Sequence, residues 1–334
     1  MRVLIIGTGV IGTVYGAHLG AAGHAVSVLS HPPRTDDVAT RGLAAHDVLT
    51  GSRAETRVHV VPDAAAGSYD LVLAAVRSDQ LASACVQLTA LGGAPAVLFF
   101  GNNPGGRSAI PANIPGEVRL GFPGVGGVLR DGVAEYVRIK QQPTALQAAT
   151  DPRLADMERA LRQRGFSVQR VAGMDGWLAC HAAFVACVAA ALYRCGTDAA
   201  VLAADRQTLT LMCAAVTEAF TALRKTGVTG LPRNLAILHS PALKPVAVRY
   251  WARTMRSAAG ELCFAAHARR AQPEMRALGD QVTARLADSP ATSHLFQLLQ
   301  APPSHAKPAA AASDRPDPGS PDQERQSRRR VWDR

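Results

Sequence analysis

The sequence opens with the stretch RVLIIGTGVIG, which covers residues 2–12. Its first five residues are mostly apolar and predict a buried β-strand, and the residues that follow the glycine-rich run have helical periodicity up to about residue 22. A second apolar run at residues 25–29 completes a strand–helix–strand unit. A glycine-rich run in this position is typical of a dinucleotide-binding loop.

The loop itself predicts how a dinucleotide would be held. It consists of Gly7, Thr8, Gly9, Val10, Ile11 and Gly12. Gly7 permits the tight turn, Gly9 lets the backbone approach a diphosphate, and Gly12 lets the helix pack closely on the strand. The N-terminus of the helix then offers free N–H groups and the positive end of its dipole to the diphosphate.

The same strand–helix rhythm continues to about residue 150, with predicted strands at 57–61, 71–76, 96–100 and 118–122 and a crossover helix at 79–90. We therefore predict an α/β fold with an N-terminal Rossmann domain, a doubly wound parallel sheet over residues 1–150. Helical periodicity dominates residues 151–300, which predicts an all-helical C-terminal domain. Residues 301–334 are rich in Pro, Ala, Ser, Asp and Arg, and we expect a disordered tail there.

The composition is that of a globular protein, with 48% hydrophobic and 19% charged residues in 334. The net charge of +10 comes almost entirely from arginines spread along the chain, and no aromatic-interleaved basic patch predicts nucleic-acid binding. A positive field of this kind also suits a small ligand that carries phosphate.

The six cysteines lack the spacing of metal ligands, and we predict no metal site. Residues 177–195 are apolar over nearly the length of a membrane span, but they are rich in alanine and contain His181, which favours a helix buried in a soluble core. A strand that starts at residue 2 leaves no room for a signal peptide, so we expect a cytoplasmic protein.

The choice of cofactor depends on the end of the second strand, where a carboxylate would bind the ribose hydroxyls of NAD. Residues 28–34 read VLSHPPR, and the next acidic residue is Asp36. Ser30, His31 and Arg34 would instead suit the extra phosphate of NADP. We therefore predict NADP, with NAD as the alternative, unless these are ordinary loop residues.

The glycine loop and four further segments resemble the ketopantoate reductase family. Residues 75–80 read AVRSDQ, with Arg77 where the family carries a lysine at the edge of the cofactor. Residues 100–106 read FGNNPGG, in which Asn102 matches the asparagine that contacts nicotinamide and substrate in the family. The resemblance implies a two-domain, nicotinamide-dependent reductase with its active site between the domains, and it suggests a homodimer.

The resemblance is weaker in the second half. Family members carry a tryptophan at the position of Trp177, a catalytic lysine two residues later and an asparagine four residues beyond that; here these positions are Ala179 and Ala183. The family's general acid is therefore absent from the sequence. Ser257 and Glu261 are matched to the family's substrate-binding serine and glutamate.

Reduction of a carbonyl needs a proton as well as a hydride, and His181 is the strongly titratable residue inside the predicted buried helix. We predict His181, Asn102 and Glu261 as catalytic residues, with a core histidine as the alternative for His181 and with His267 as a secondary candidate. Residues 121–127 form a second glycine-rich run, predicted to be a loop that lines the cleft.

The sequence thus predicts a cytoplasmic NADP-dependent oxidoreductase that reduces a small, 2-oxo acid-like carbonyl compound and has neither a nucleic-acid nor a membrane partner. Two other functions stay open. A non-catalytic NADP-binding protein would keep the loop and lose the acid. A different reaction on the same fold, such as imine reduction or hydroxy-acid oxidation, would need another proton-transfer group.

Overall fold

The computed structural model describes residues 1–300, and the predicted tail at 301–334 lies outside the described residues. The strands are β1 Arg2–Ile6, β2 Ala25–Leu29, β3 Leu43–Asp47, β4 Arg53–Thr56, β5 His59–Val61, β6 Leu71–Ala74, β7 Ala96–Phe100, β8 Glu117–Phe122, β9 Val125–Arg130, β10 Val133–Arg138, β11 Thr144–Gln147 and β12 Val168–Val171. The helices are α1 Val10–Ala21, α2 Arg34–Arg41, α3 Leu81–Leu88, α4 Pro152–Gln163, α5 Met174–Arg194, α6 Ala199–Ala204, α7 Arg206–Lys225, α8 Arg233–Leu238, α9 Lys244–Met255, α10 Ala266–Arg270, α11 Gln272–Arg285 and α12 Ser293–Leu299.

The main sheet has eight strands in the order β12-β11-β8-β7-β6-β1-β2-β5. Strand β1 pairs in parallel with β2 on one side and with β6 on the other, and β7 and β8 continue the parallel part. Strands β6 and β7 are buried along their whole length, as expected for parallel strands covered on both faces. This confirms the predicted Rossmann sheet, whose strand order reverses at β1, the point where such sheets bind ligands.

A second sheet was not predicted. It has four strands in the order β4-β3-β10-β9. Its strands are short and carry polar residues, so their periodicity is weak, and long-range pairing holds them: β3 pairs in parallel with β10 across some 90 residues of chain.

The predicted glycine-rich loop at residues 121–127 is mostly strand. Gly121 belongs to β8 and Gly127 to β9, which leaves only a tight turn between them. Gly127 lies so close to β10 that a Cβ atom there would come within 2.2 Å of the Glu135 carbonyl oxygen. The glycines therefore serve close strand packing as well as turning.

The helical part is built around α5, a 21-residue helix most of whose residues are buried. Its first turns pack against the main sheet through Trp177 and Leu178, and the rest lies in a separate apolar cluster formed with α7, α9, α11 and α12. In the described part of the chain, α5 is the one helix apolar and long enough to cross a membrane, and 78% of its apolar window is buried within the protein. The position of the domain boundary near residue 150 stays a prediction.

Candidate cofactor and substrate cleft

A cleft of about 680 Å³ opens at the carboxyl ends of β1, β6 and β7. One wall is formed by the glycine loop and by the residues that follow β2, β6 and β7. The other wall is formed by one face of α5 and by the segment from Cys263 to Met275. We call this space the central cleft.

The glycine loop is packed tightly on the side of the sheet and is open on the other. Gly7 has φ +92°, and a Cβ atom there would lie 2.7 Å from the Ala75 carbonyl oxygen at the end of β6. A Cβ atom on Gly12 would come within 1.9 Å of the Gly7 carbonyl oxygen. At Gly9 a Cβ atom would meet nothing within 4 Å, so the first turn of α1 faces open space that fits a diphosphate.

Two of the three residues predicted to hold an NADP phosphate line the cleft. His31 and Arg34 lie on its wall, at the start of α2. The Nη1 atom of Arg34 is ion-paired with Asp37, while Nε and Nη2 are buried and have no hydrogen-bond partner. Two free guanidinium donors are what a phosphate would satisfy, so the site fits the phosphorylated dinucleotide.

The third residue, Ser30, has a different place. It is buried, and its Oγ atom lies 2.7 Å from Oγ1 of Thr8 in the glycine loop. Ser30 therefore connects the end of β2 to the glycine loop through its hydrogen bond with Thr8.

Arg77 lines the cleft just after β6, but its guanidinium is already occupied. Nε and Nη2 donate to the two carboxylate oxygens of Asp79, at 3.0 and 3.2 Å. These hydrogen bonds raise the pKa of Arg77, so it stays charged. Arg77 therefore contributes positive electrostatic potential to the cleft, and two of its guanidinium nitrogens are already engaged by Asp79.

Asn102 lies at the end of β7, as predicted, and it contacts a residue that sequence reasoning missed. Its Nδ2 atom donates to Oε1 of Glu274, 3.0 Å away, and its Oδ1 atom has no hydrogen-bond partner. Glu274 is only 2% exposed, and its Oε2 atom also lacks a hydrogen bond. In the sequence Glu274 is an ordinary acidic residue in the first turn of a helix, and no local signal marks it as part of a site.

His267 completes this group from α10. Its Nε2 atom lies 3.6 Å from Oε2 of Glu274, and its side chain is 40% exposed. Burial lowers the pKa of His267, and the Glu274 carboxylate opposes that change while the positive Arg77 adds to it. The side chain lines the central cleft.

His181 also lines the cleft but sits in an aromatic box. Its ring stacks on Trp177 at 4.9 Å between centroids and contacts Phe122 at 4.0 Å. Its Nε2 atom lies 2.8 Å from Oε1 of Gln142, whose amide is oriented because its Nε2 donates to the Pro123 carbonyl oxygen. The proton of the neutral ring is therefore on Nε2, and burial lowers the pKa of His181 to about 3.

The face of α5 that meets the cleft differs from the one the resemblance implied. Ala179 and Ala183 line a separate small cavity beside Arg285. The cleft is met instead by His181, Phe184, Val185, Val188, Ala189 and Leu192. No lysine lines the cleft within residues 1–300.

The structure places Glu261 and Ser257 away from the cleft. Glu261 is half exposed and ion-paired with Arg269, and the Ser257 hydroxyl donates to the Thr254 carbonyl oxygen. Residues 260–265 form a π-helical segment, whose wider turn changes which side chains face inward. Cys263 and Phe264, and then His267, face the cleft in place of Glu261.

Comparison with known proteins agrees with this geometry. Residues 3–150 match the family model of ketopantoate reductase PanE/ApbA. No curated protein sequence matches the chain.

Solved structures extend the likeness to the whole described chain. The PanE/ApbA family ketopantoate reductase from Ralstonia eutropha JMP134 is 22% identical, with a TM-score of 0.69 over 90% of this chain and 97% of that one. D-mandelate dehydrogenase in complex with NADH is 14% identical, with a TM-score of 0.65 over 90% and 97% of the two chains. The dimeric ketopantoate reductase from Staphylococcus aureus is 15% identical, with a TM-score of 0.61 over the same shares.

The family model covers the glycine loop and both strand ends that carry Arg77 and Asn102. The structural likeness, at these identities, shows the fold of the remaining helical part. Residues 3–150 therefore match the ketopantoate reductase PanE/ApbA family model, and the described chain shares the fold of solved ketopantoate reductases.

Proposed function

We propose that this protein is an NADP-dependent oxidoreductase that reduces a small, 2-oxo acid-like carbonyl compound in the central cleft. One observation carries the proposal: a single cleft is lined both by the glycine loop and by the Asn102, His267 and Glu274 group. A dinucleotide bound along the loop would extend toward the polar group. The similar solved structures of a ketopantoate reductase and a D-mandelate dehydrogenase support oxidoreduction as the type of reaction.

The bound dinucleotide would supply a hydride, and the chain's own residues would do the rest. The first turn of α1 would hold the diphosphate, with Gly9 leaving room for it. His31 and Arg34 would hold the additional phosphate that distinguishes NADP from NAD. Asn102 would orient the reacting groups through its free Oδ1 atom.

The substrate end of the cleft combines positive charge with an apolar wall. Arg270 follows His267 by one helical turn and lines the cleft, and no ion pair engages it within the described residues. It could bind a substrate carboxylate through its planar fork. The same wall also carries the apolar side chains of Phe184, Val185, Val188, Leu192 and Phe264. A 2-oxo acid with a branched or aromatic side chain would match both features.

Two measurements test the proposal. The purified, cofactor-stripped protein is titrated with NADPH and with NADH by fluorescence, and NADPH oxidation is then followed with phenylglyoxylate and 2-oxo-3-methylbutanoate. We expect saturable binding, tighter for NADPH, followed by turnover of at least one of the two acids. Absence of binding of either dinucleotide would overturn the assignment.

The second candidate is a non-catalytic NADP-binding protein. It is favoured by the absence of a lysine from the cleft in residues 1–300 and by the neutral, boxed state of His181. Tight NADPH binding without turnover of keto acids, imines or hydroxy acids in either direction would favour it. Turnover of amine or hydroxy-acid substrates alone would indicate a different reaction on the same fold.

We also propose a cytoplasmic homodimer. All six cysteines are free thiols in the structure, which suits a reducing compartment. The likeness to a dimeric reductase supports the assembly, as do exposed apolar side chains on the helical part, among them Val201, Ile237 and Val246. Light scattering of the purified chain tests it, and a monomer at micromolar concentration would contradict it.

A further inference from the structure

We propose that His267 donates the proton to the substrate's carbonyl oxygen and that buried Glu274 positions it, so that this pair replaces the lysine missing from the cleft. The inference rests on the proposed function and deepens it. It assigns the proton-transfer step to residues on α10 and α11, away from α5.

The geometry brings the pair to the cleft from two consecutive helices. His267 ends up beside Glu274 because the chain breaks at Ala271, between α10 and α11. The Nε2 atom of His267 then lies 3.6 Å from Oε2 of Glu274. Both side chains line the cleft, with the carboxylate behind and the partly exposed ring in front.

The carboxylate needs a cationic partner. Glu274 is 2% exposed, and its Oε1 atom accepts from Asn102 and from the Ser78 N–H, at 3.0 and 3.4 Å. Its Oε2 atom has no hydrogen bond and lies 3.6 Å from Nε2 of the His267 imidazole. A buried carboxylate oxygen without a partner is costly, and an imidazolium that donates from Nε2 would satisfy it.

The ring's other nitrogen is free for chemistry. Among the described residues, no hydrogen bond engages Nδ1 of His267, and the side chain is 40% exposed to the cleft. With Nε2 directed at Glu274, the mobile proton would leave from Nδ1. The Asn102 amide is bound to the same carboxylate and so connects the end of β7 to the His267–Glu274 pair.

The charges around His267 come from three elements. Glu274 on α11 raises the pKa of His267 and Arg77, after β6, lowers it, while the positively charged Arg270 lies on the same helix and lines the cleft. Arg77 is bound to Asp79, which reduces its net effect. Burial, the largest influence, lowers the pKa of His267, so the protonated ring that a general acid needs depends on the Glu274 carboxylate, which opposes this change.

The step balances without further reactants. When bound, the reduced dinucleotide would supply the hydride for a new C–H bond at the carbonyl carbon. The π pair of the C=O bond would move to oxygen, which would take the proton from Nδ1 of His267. The ketone would become an alcohol at the expense of the reduced dinucleotide, and His267 would be reprotonated from water.

His181 is less suited to this step. Its Nε2 proton is held by Gln142, its Nδ1 atom is buried without a partner, and aromatic rings cover it. An imidazole in such surroundings stays neutral at physiological pH, which makes it a poor proton donor. We assign it the wall of the cleft.

The experiment compares His267→Asn and Glu274→Gln with a matched pair of controls, His294→Asn and Glu218→Gln. His294 and Glu218 form a second histidine–glutamate pair, which is not part of the cleft lining. We expect His267→Asn to lower kcat roughly 100- to 10,000-fold, the usual contribution of a general acid, and to leave the NADPH Kd within about threefold. The controls should keep wild-type turnover.

The pH profile and a spectroscopic readout make the test specific. In the wild type, kcat for reduction should decrease as the pH rises through the pKa of His267. This decrease should be absent in His267→Asn. NMR of isotope-labelled histidine should show a lower pKa for His267 in Glu274→Gln than in the wild type, because the carboxylate that favours the imidazolium is gone. This readout needs no substrate and so does not depend on turnover.

The outcomes separate the two proposals. Failure of the wild type to bind NADPH or NADH would overturn the proposed function and this inference with it. Normal binding together with wild-type turnover and an unchanged pH profile in His267→Asn would overturn the inference alone. An unchanged His267 pKa in folded Glu274→Gln would likewise refute the pair.

Discussion

The Nδ2 atom of Asn102 donates to Oε1 of Glu274 over 3.0 Å, although the two residues are 172 positions apart in the chain. Asn102 follows β7 of the main sheet, and Glu274 lies in the first turn of α11 in the helical part. One hydrogen bond therefore ties the strand end to the helix that carries the buried carboxylate. The same contact connects the strand end predicted from the sequence to Glu274, which was not predicted.

Replacement of Asn102 by Asp tests this contact. Two carboxylates would then meet in a buried position, which we expect to destabilise the fold by about 3 kcal/mol at pH 8. The loss should shrink as the pH falls, because one carboxyl group can take up a proton. Urea unfolding at pH 8 and pH 5.5 measures it. Asn234→Asp is the control, since that exposed amide only donates to the Gln141 carbonyl oxygen; equal losses in both variants would contradict the contact's role.

Gly9→Asp should abolish dinucleotide binding without unfolding the protein. The backbone there has φ −69°, and a Cβ atom meets nothing within 4 Å, so aspartate fits sterically. Its carboxylate would stand where the diphosphate binds, and we expect affinity to fall by about 100-fold or more. Fluorescence titration measures the affinity. Gly92→Asp adds the same charge at an exposed glycine with only one distant neighbour and should bind normally.

Arg34→Gln should separate the two dinucleotides. Loss of charged hydrogen bonds to a phosphate costs about 1.5–3 kcal/mol, so NADPH affinity should fall roughly 10- to 100-fold while NADH affinity barely changes. Arg41→Gln is matched, because Arg41 pairs with the same Asp37 but is largely exposed and does not line the cleft. If NADPH and NADH weaken equally in Arg34→Gln, this residue does not read the extra phosphate.

Acid should destabilise the protein through its buried histidines. Burial lowers the pKa of His181 to about 3 and those of His18 and His239 to about 4, from an ordinary value of 6.5. Below pH 6.5 these histidines are protonated in the unfolded chain but stay neutral in the folded chain. The free energy of unfolding therefore decreases as the pH is lowered from 6.5 to about 4. Each such histidine contributes up to about 1.4 kcal/mol per pH unit.

His239→Gln isolates one of these contributions. Nε2 of His239 accepts from the Trp251 indole N–H at 3.0 Å, and a glutamine oxygen can accept in its place without titrating. Between pH 6 and pH 4.5, the free energy of unfolding of the variant should depend less steeply on pH than that of the wild type. The difference should correspond to the uptake of about one proton fewer on unfolding. Exposed His59 provides the control, and His59→Gln should keep the wild-type slope. An unchanged slope in His239→Gln would mean that His239 is protonated in the folded state.

The elements that could be predicted are those whose signal is local. The turn at Gly7, the open position at Gly9 and the close packing at Gly12 are set within six residues, because helix and strand must meet there at short range. Asn102 could be placed because the carboxyl ends of parallel strands lie at one edge of the sheet. The second sheet could not, since its strands are held by partners far away in the chain.

The site chemistry depended on contacts that no local pattern encodes. Glu261 and Glu274 are both acidic residues in helical sequence, and only the π-helical turn and the break at Ala271 decide which one is buried in the cleft. The face of α5 is similar: His181 and Ala179 are two residues apart, and helix rotation in the packed structure chooses between them.

Local sequence is therefore enough to specify the dinucleotide loop, the parallel sheet and the apolar helix α5, because each depends on steric limits or burial over a few neighbouring residues. Tertiary structure alone decided that Arg34 keeps two free donors, that His181 is enclosed by aromatic rings, and that Glu274 meets Asn102 and His267. The physical reason is that burial and charge pairing depend on which distant segments pack together. The residues next to a position in the sequence do not determine which distant segments contact it.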